Sequence, residues 1–160
     1  MELFLSDVEI QSFIVERKQL GITPDELFQN MKEKKGHRGF DHMISRPDGS
    51  SFVIKVRISK ENALDFSAIL GYSPPNSTKL FLLCRYNGKS HEHKNTLEHE
   101  DSFYDFHIHK ATERYQREGP KEEHYAETTG RYSTVQEALN CLLNDCNIEL
   151  PPSSQLHLEI

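Results

Sequence analysis

Residues 52–58 place Phe52, Ile54, Val56 and Ile58 at every second position and Lys55 and Arg57 between them, the two-residue period of a half-buried strand. Directly before them, Arg46-Pro47-Asp48-Gly49-Ser50 has a proline that fixes φ and a glycine free to take positive φ. Residues 40–45 lie on the other side of that turn, so residues 40–58 read as a β-hairpin.

Helices are announced by capping boxes, in which a Ser or Thr side chain accepts an otherwise orphan backbone N–H and a Glu or Gln three residues on answers it. Ser6 with Glu9 opens one helix, with Val8, Ile10, Phe13 and Ile14 toward the core and Gly21 as its stop. Thr23 with Glu26 opens a second, with Pro24 at its first position, Lys32, Lys34 and Lys35 near its end and Gly36 closing it. Ser133 with Gln136 opens a third, running to about Asp145, whose Val135, Ala138, Leu139, Leu142 and Leu143 form an apolar stripe. Residues 60–70, with Ala63, Leu64, Phe66 and Ile69 at helical spacing, read as a short middle helix. Leu80 to Cys84 is almost wholly apolar and suits a central strand covered on both faces. Residues 103–113 follow as a strand, with 122–128 as its hairpin partner.

The expected fold is therefore α+β, with the order ααββ(α)βββα and an antiparallel sheet of about five strands. Residues 1–150 make one domain, and residues 151–160 a tail whose Leu156, Leu158 and Ile160 alternate like a loose edge strand.

Composition narrows the function classes. Three cysteines, Cys84, Cys141 and Cys146, lie in apolar runs without C-x-x-C spacing, which suggests neither a disulfide framework nor a zinc knuckle and fits a reducing compartment. No apolar run approaches the roughly 18 residues of a membrane span, so a cytoplasmic protein without membrane contact is expected. A net charge of −6 argues against a general polyanion binder, since affinity for phosphate backbones comes mainly from clustered Lys and Arg.

Histidine is the unusual residue. Nine are present, and His91, His93, His107 and His109 fall in the middle third. Strand alternation puts His107 and His109 on one face and Tyr104, Phe106 and Ile108 on the other; with the apolar set inward, the two imidazoles would lie about 6–7 Å apart on the more exposed face.

Three readings compete for these residues. In the first, His107 and His109 are acid and base for RNA cleavage without metal or cofactor, because an imidazole with pKa near 6.5 populates both protonation states at neutral pH. Arg85, Arg114 or Lys110 would stabilise the pentavalent phosphate, Tyr86 or Tyr115 would orient it, and Lys55, Arg57, Lys110, His91 and His93 are candidate substrate-binding groups. In the second, His91, His93, His107 and His109 with Glu98 or Asp101 bind a metal. In the third they are surface histidines on a solvated strand and loop, as Lys55 and Arg57 are solubilising charges and Cys84 is inert core.

Arg85-Tyr86-Asn87-Gly88, the histidine-rich loop after it and Phe106-His107-Ile108-His109-Lys110 resemble the TumE-type toxins of bacterial toxin–antitoxin pairs. In that family an Arg-Tyr-Asp-Asn stretch precedes clustered histidines and a Phe-x-His-x-Lys-like strand before a closing helix. The resemblance covers residues 79–145, with a longer histidine loop and Asn87 where the family has aspartate. It implies a small ribonuclease toxin with a fold related to RelE, a cognate antitoxin as partner, and His107, His109 and Arg85 as site residues. A rival of another class is a non-enzymatic acidic protein, such as a mobile-element inhibitor. Its Glu98 to Asp101 and Glu122-Glu123 clusters would imitate phosphates toward a basic, nucleic-acid-binding target.

Overall fold

The computed structural model describes residues 3–152. In chain order the elements are α1 (Asp7–Val15), β1 (Lys18–Gln19), α2 (Pro24–Gln29), β2 (Lys32–Lys34), β3 (His37–Ser45), β4 (Ser51–Ser59), β5 (Phe66–Ser73), β6 (Phe81–Asn87), β7 (His107–Lys110), α3 (Glu113–Glu118), β8 (Ala126–Thr128), α4 (Val135–Asp145) and β9 (Ile148–Glu149). Strands β2 to β8 form a seven-stranded sheet in sequence order, every neighbouring pair antiparallel. A second, parallel pair, β1 with β9, ties the chain after α1 to the chain after α4. No helix among the described residues is long and apolar enough to cross a membrane.

The expected hairpin is β3 and β4, in register from Phe40↔Val56 to Ser45↔Ser51, with Gly49 at φ 90° in the turn. Arg46 holds the turn from inside: its guanidinium forks onto Glu16 at 2.8 Å twice and reaches Ser50 at 2.7 Å. On one face of the sheet Phe52, Ile54 and Val56 of β4, Phe66, Ala68 and Leu70 of β5, and Cys84 and Tyr86 of β6 are buried. Helix α4 covers this face with Val135, Ala138, Leu139, Leu142 and Leu143, each Val or Leu side chain contributing roughly 1.5–3 kcal/mol for its burial. Helix α1 adds Ile10, Ile14 and Phe13, whose ring stacks on Tyr72 at 4.2 Å.

Lys18 is a core residue that composition alone hides. It is 2% exposed, and its ammonium donates to the carbonyls of Phe13, Ile14 and Glu16 at the end of α1 and of Cys146 at the end of α4, at 2.7–3.0 Å. One cation thus closes two helix C-termini, whose last carbonyls have no partner within the helix.

Six expectations change. The sheet has seven strands rather than five, because two segments read as helix are strands. Helix α2 stops at Gln29; Lys32, Glu33 and Lys34 pair with Gly39, Arg38 and His37 across a turn with Gly36 at φ 83°. Those three residues are all exposed and offer no apolar stripe to hold a helix against the core. In place of the middle helix the chain turns at 60–65 and becomes β5: Phe66, Ala68 and Leu70 alternate with Ser67 and Ile69, a two-residue period that the apolar spacing of 63–69 obscured. The strand expected over 103–113 is only His107–Lys110, since Thr112 accepts the Tyr115 N–H and opens α3. Finally, α1 ends at Val15 rather than Gly21, and α4 is capped by Thr134, whose hydroxyl accepts the Glu137 N–H, rather than by Ser133.

The apolar Leu80 to Cys84 segment does feed an interior strand, β6, paired on both sides. A bulge at Leu83 lets both Leu83 and Cys84 turn inward. Cys84 Sγ rests 3.7 Å from Cys146 Sγ, both as thiols. The alternating Leu156, Leu158 and Ile160 lie outside the described residues.

A buried histidine cluster as candidate functional site

Strand register decides which side chains meet. Across β4, β5, β6 and β7 one row runs Lys55, Ile69, Arg85, His109, and the next runs Arg57, Ser67, Asn87, His107. Both rows lie on the face away from α4. Over β3 to β5 that face is open, and Lys55 and Arg57 are paired to Asp41 and Asp65 at 3.5 and 3.4 Å. Over β6 to β8 it is roofed by two irregular segments, residues 88–106 and 119–125, which bring in His93, Asn95, Glu123 and His124.

The roof overturns the expected exposure of the histidines. His107 and His109 are each 4% exposed, whereas Tyr104, expected inside, is 61% exposed. Alternation does place both histidines on one face; that face is covered because the bridge between His93 and Phe103 folds the loop down onto it. The ring centroids of His107 and His109 are 4.9 Å apart, and that of His93 lies 5.4 Å from the first and 4.8 Å from the second. One ring nitrogen from each of the three falls within 4.8 Å of the others.

The protonation of each ring follows from its partners. A carbonyl can only accept, so His107 Nδ1 donates to Asp105 O at 2.8 Å and His109 Nδ1 to His124 O at 3.2 Å. Asn95 clamps the backbone of Ala126, accepting its N–H at Oδ1 (2.9 Å) and donating to its C=O from Nδ2 (2.7 Å). That fixes Oδ1 as an acceptor, so His93 Nε2, 2.8 Å away, donates to it. His93 Nδ1, His107 Nε2 and His109 Nε2 therefore carry lone pairs, and that of His107 accepts from Asn87 Nδ2 at 3.5 Å. Burial lowers the pKa of all three rings, that of His109 to about 2, with Arg85 as a second cause there. All three are neutral at pH 7.

Beside them, Arg85 Nη2 stands 2.5 Å from Glu123 Oε2, and the Glu123 side chain is fully buried. The contact is an ion pair out of hydrogen-bond alignment, because neither Glu123 oxygen nor Arg85 Nε has a hydrogen-bond partner. Among the described residues four buried side-chain polar atoms lack a partner, and they belong to Arg85, Asn87 and Glu123 alone. Such atoms are rare in folded proteins.

Of the other candidates, His91 is exposed and faces Asp65 at 3.9 Å, outside the cluster. Arg114 pairs with Glu98 on the surface. Tyr86 and Lys110 point to the opposite face: Tyr86 donates to Asp145 at 2.5 Å, and Lys110 pairs across from Cys84 and reaches Gln11. Tyr115 is buried and bonded to Glu98. Glu98 and Glu123, both expected on an acidic surface, are thus engaged within the fold. The site residues that sequence reasoning missed are Asn87, Asn95, Glu123 and His124. Only the strand offset of Asn87 from Arg85 signalled any of them.

No family model, curated protein or solved structure matches this chain.

Proposed function

We propose that the chain is a small endoribonuclease of the toxin type, with its reacting centre at His107, His109 and Arg85. The observation that carries this reading is the pair of cross-strand rows, which lead from two exposed cations, Lys55 and Arg57, to a guanidinium and two imidazoles over four adjacent strands. At 4.7–4.9 Å per strand the rows span roughly 14 Å. The half over β6 and β7 lies under residues 88–106 and 119–125, so that roof must open to admit a single-stranded backbone. The pairs of Lys55 and Arg57 with Asp41 and Asp65 are surface pairs of small worth, which a phosphate can replace.

In the metal-independent form, one imidazole takes the 2′-hydroxyl proton, the other protonates the leaving oxygen, and Arg85 balances the phosphorane charge. Burial opposes the protonated imidazole that this form needs; an anionic phosphate beside His107 acts in the other direction and raises its pKa. Resemblance to the TumE-type toxins supports the same assignment and implies an antitoxin partner.

The test is incubation of the folded full chain with labelled RNA, with and without EDTA, for wild type and the His107→Ala/His109→Ala double variant. Cleavage that survives EDTA and vanishes in the variant supports the acid–base form. Cleavage abolished by EDTA keeps the ribonuclease and moves its chemistry to a metal. No cleavage by folded wild type overturns the reading and favours the non-enzymatic acidic binding protein.

A further inference from the structure

We propose that His93, His107 and His109 form a binding site for one divalent transition metal of the zinc type, with the Arg85–Glu123 pair at its side. The inference goes beyond the ribonuclease reading and does not depend on it.

Three features of the cluster agree. Three ring nitrogens already lie within 4.8 Å of one another; tetrahedral bonds of about 2.0–2.1 Å to imidazole need nitrogens about 3.3 Å apart, so closure asks for side-chain shifts of about an ångström. Each ring is oriented by a hydrogen bond from one nitrogen, to Asn95 Oδ1, Asp105 O and His124 O, the arrangement by which proteins fix the tautomer of a metal-bound histidine. The fully buried Glu123 carboxylate has no hydrogen-bond partner, and its charge acts on His93. The Arg85 guanidinium already balances its single charge, but its oxygens keep lone pairs that a metal or a metal-bound water could engage.

The donor set selects the ion. Three imidazoles suit zinc, cobalt, nickel or copper, whereas magnesium and calcium take oxygen ligands. His91, which the sequence groups with these residues, is exposed and turned to Asp65, and belongs to no such site. Bound metal would occupy the lone pairs of His107 and His109, so any RNA cleavage by the loaded protein would then be sensitive to chelation.

The experiment needs no RNA, so its failure and that of the ribonuclease reading are distinguishable. Full-length protein is stripped with EDTA, dialysed and titrated with zinc chloride and with cobalt chloride. The expected result is one zinc per chain by elemental analysis, an intense visible band of tetrahedral cobalt(II), and zinc-induced changes in imidazole nitrogen shifts confined to His93 Nδ1, His107 Nε2 and His109 Nε2. Asn95→Ala should weaken zinc affinity about 10–100-fold, the usual effect of losing an outer-shell partner, and His91→Ala should leave it unchanged. Because Asn95→Ala also removes the clamp on Ala126, the nitrogen shifts of the wild type carry the decision if that variant misfolds. Absence of stoichiometric uptake by folded wild type overturns the proposal, as do shifts confined to His91 and other exposed imidazoles.

Discussion

The two faces of the central sheet are built on opposite terms. The face under α4 is a layer of Phe52, Ile54, Val56, Ala68 and Leu70 against Leu139 and Leu142, where burial needs no partner chemistry and each methylene adds its increment. The face under residues 88–106 and 119–125 buries three imidazoles and a carboxylate beside the half-buried Arg85, and each must recover by pairing what it loses in hydration. The apolar face is satisfied by shape, and the polar one by named partners. The unpartnered atoms of Arg85, Asn87 and Glu123 mark where that matching stops.

The comparison is tested hardest at Arg85. Arg85→Ala leaves Glu123 as a buried charge without a counter-ion, and removal of one member of such a pair costs about 3–5 kcal/mol. Urea unfolding should show that loss in the single variant, with most of it recovered in Arg85→Ala/Glu123→Gln. A double variant as unstable as the single one would mean that the arginine acts by packing rather than by charge.

On the other face, Leu139→Ala should cost about 3 kcal/mol, from lost transfer energy and the cavity left at a fully buried position. Its loss should be the same at pH 7 and pH 5, which separates it from the next effect.

Between pH 7 and pH 5, above the carboxylate range, acid should act mainly on the polar face. His109 binds a proton in the unfolded chain near pH 6.5 but in the folded one near 2, because burial and Arg85 disfavour the imidazolium. Its contribution is therefore complete above the unfolded value and is lost as pH falls below it. The unfolded state takes up the proton first, and His109 alone should lower stability by about 2 kcal/mol between pH 7 and pH 5. His93 and His107, shifted the same way, add to it. Unfolding midpoints measured across that range for wild type and His109→Asn check the point, since the variant should be flatter.

The difference between the faces also explains what could be read from the sequence. Apolar periodicity is a local signal, and it located the β3–β4 hairpin, the interior strand β6 and the stripe of α4. It failed where two periods fit the same residues, at 63–69, and where only exposed lysines were present, at 32–34. Pairing of polar groups is not local. His93 and His107 are brought together by a strand bridge to Phe103, and Glu123 reaches Arg85 from 38 positions away. Alternation could say that His107 and His109 share a face. It could not say that a polar loop would cover it, because the clamp between Asn95 and Ala126 has no signature in composition.

The smallest effect lies at the entrance to α4, where the apolar face begins. Thr134 accepts the Glu137 N–H at 3.1 Å and is the N-cap, while the neighbouring Ser133 bonds the Glu137 carboxylate from its own N–H and hydroxyl at 3.0 and 2.9 Å. Loss of an N-cap hydroxyl typically costs about 1 kcal/mol, so Thr134→Ala should show that loss. Ser133→Ala keeps the capping bond and the Ser133 N–H contact, removing only an exposed hydroxyl, and should cost less. Thermal unfolding of the two variants side by side measures the order. If Ser133→Ala were the more damaging, the helix would begin where the sequence alone puts its capping box, one residue earlier. The stripe from Val135 to Leu143 would then be entered from a different angle.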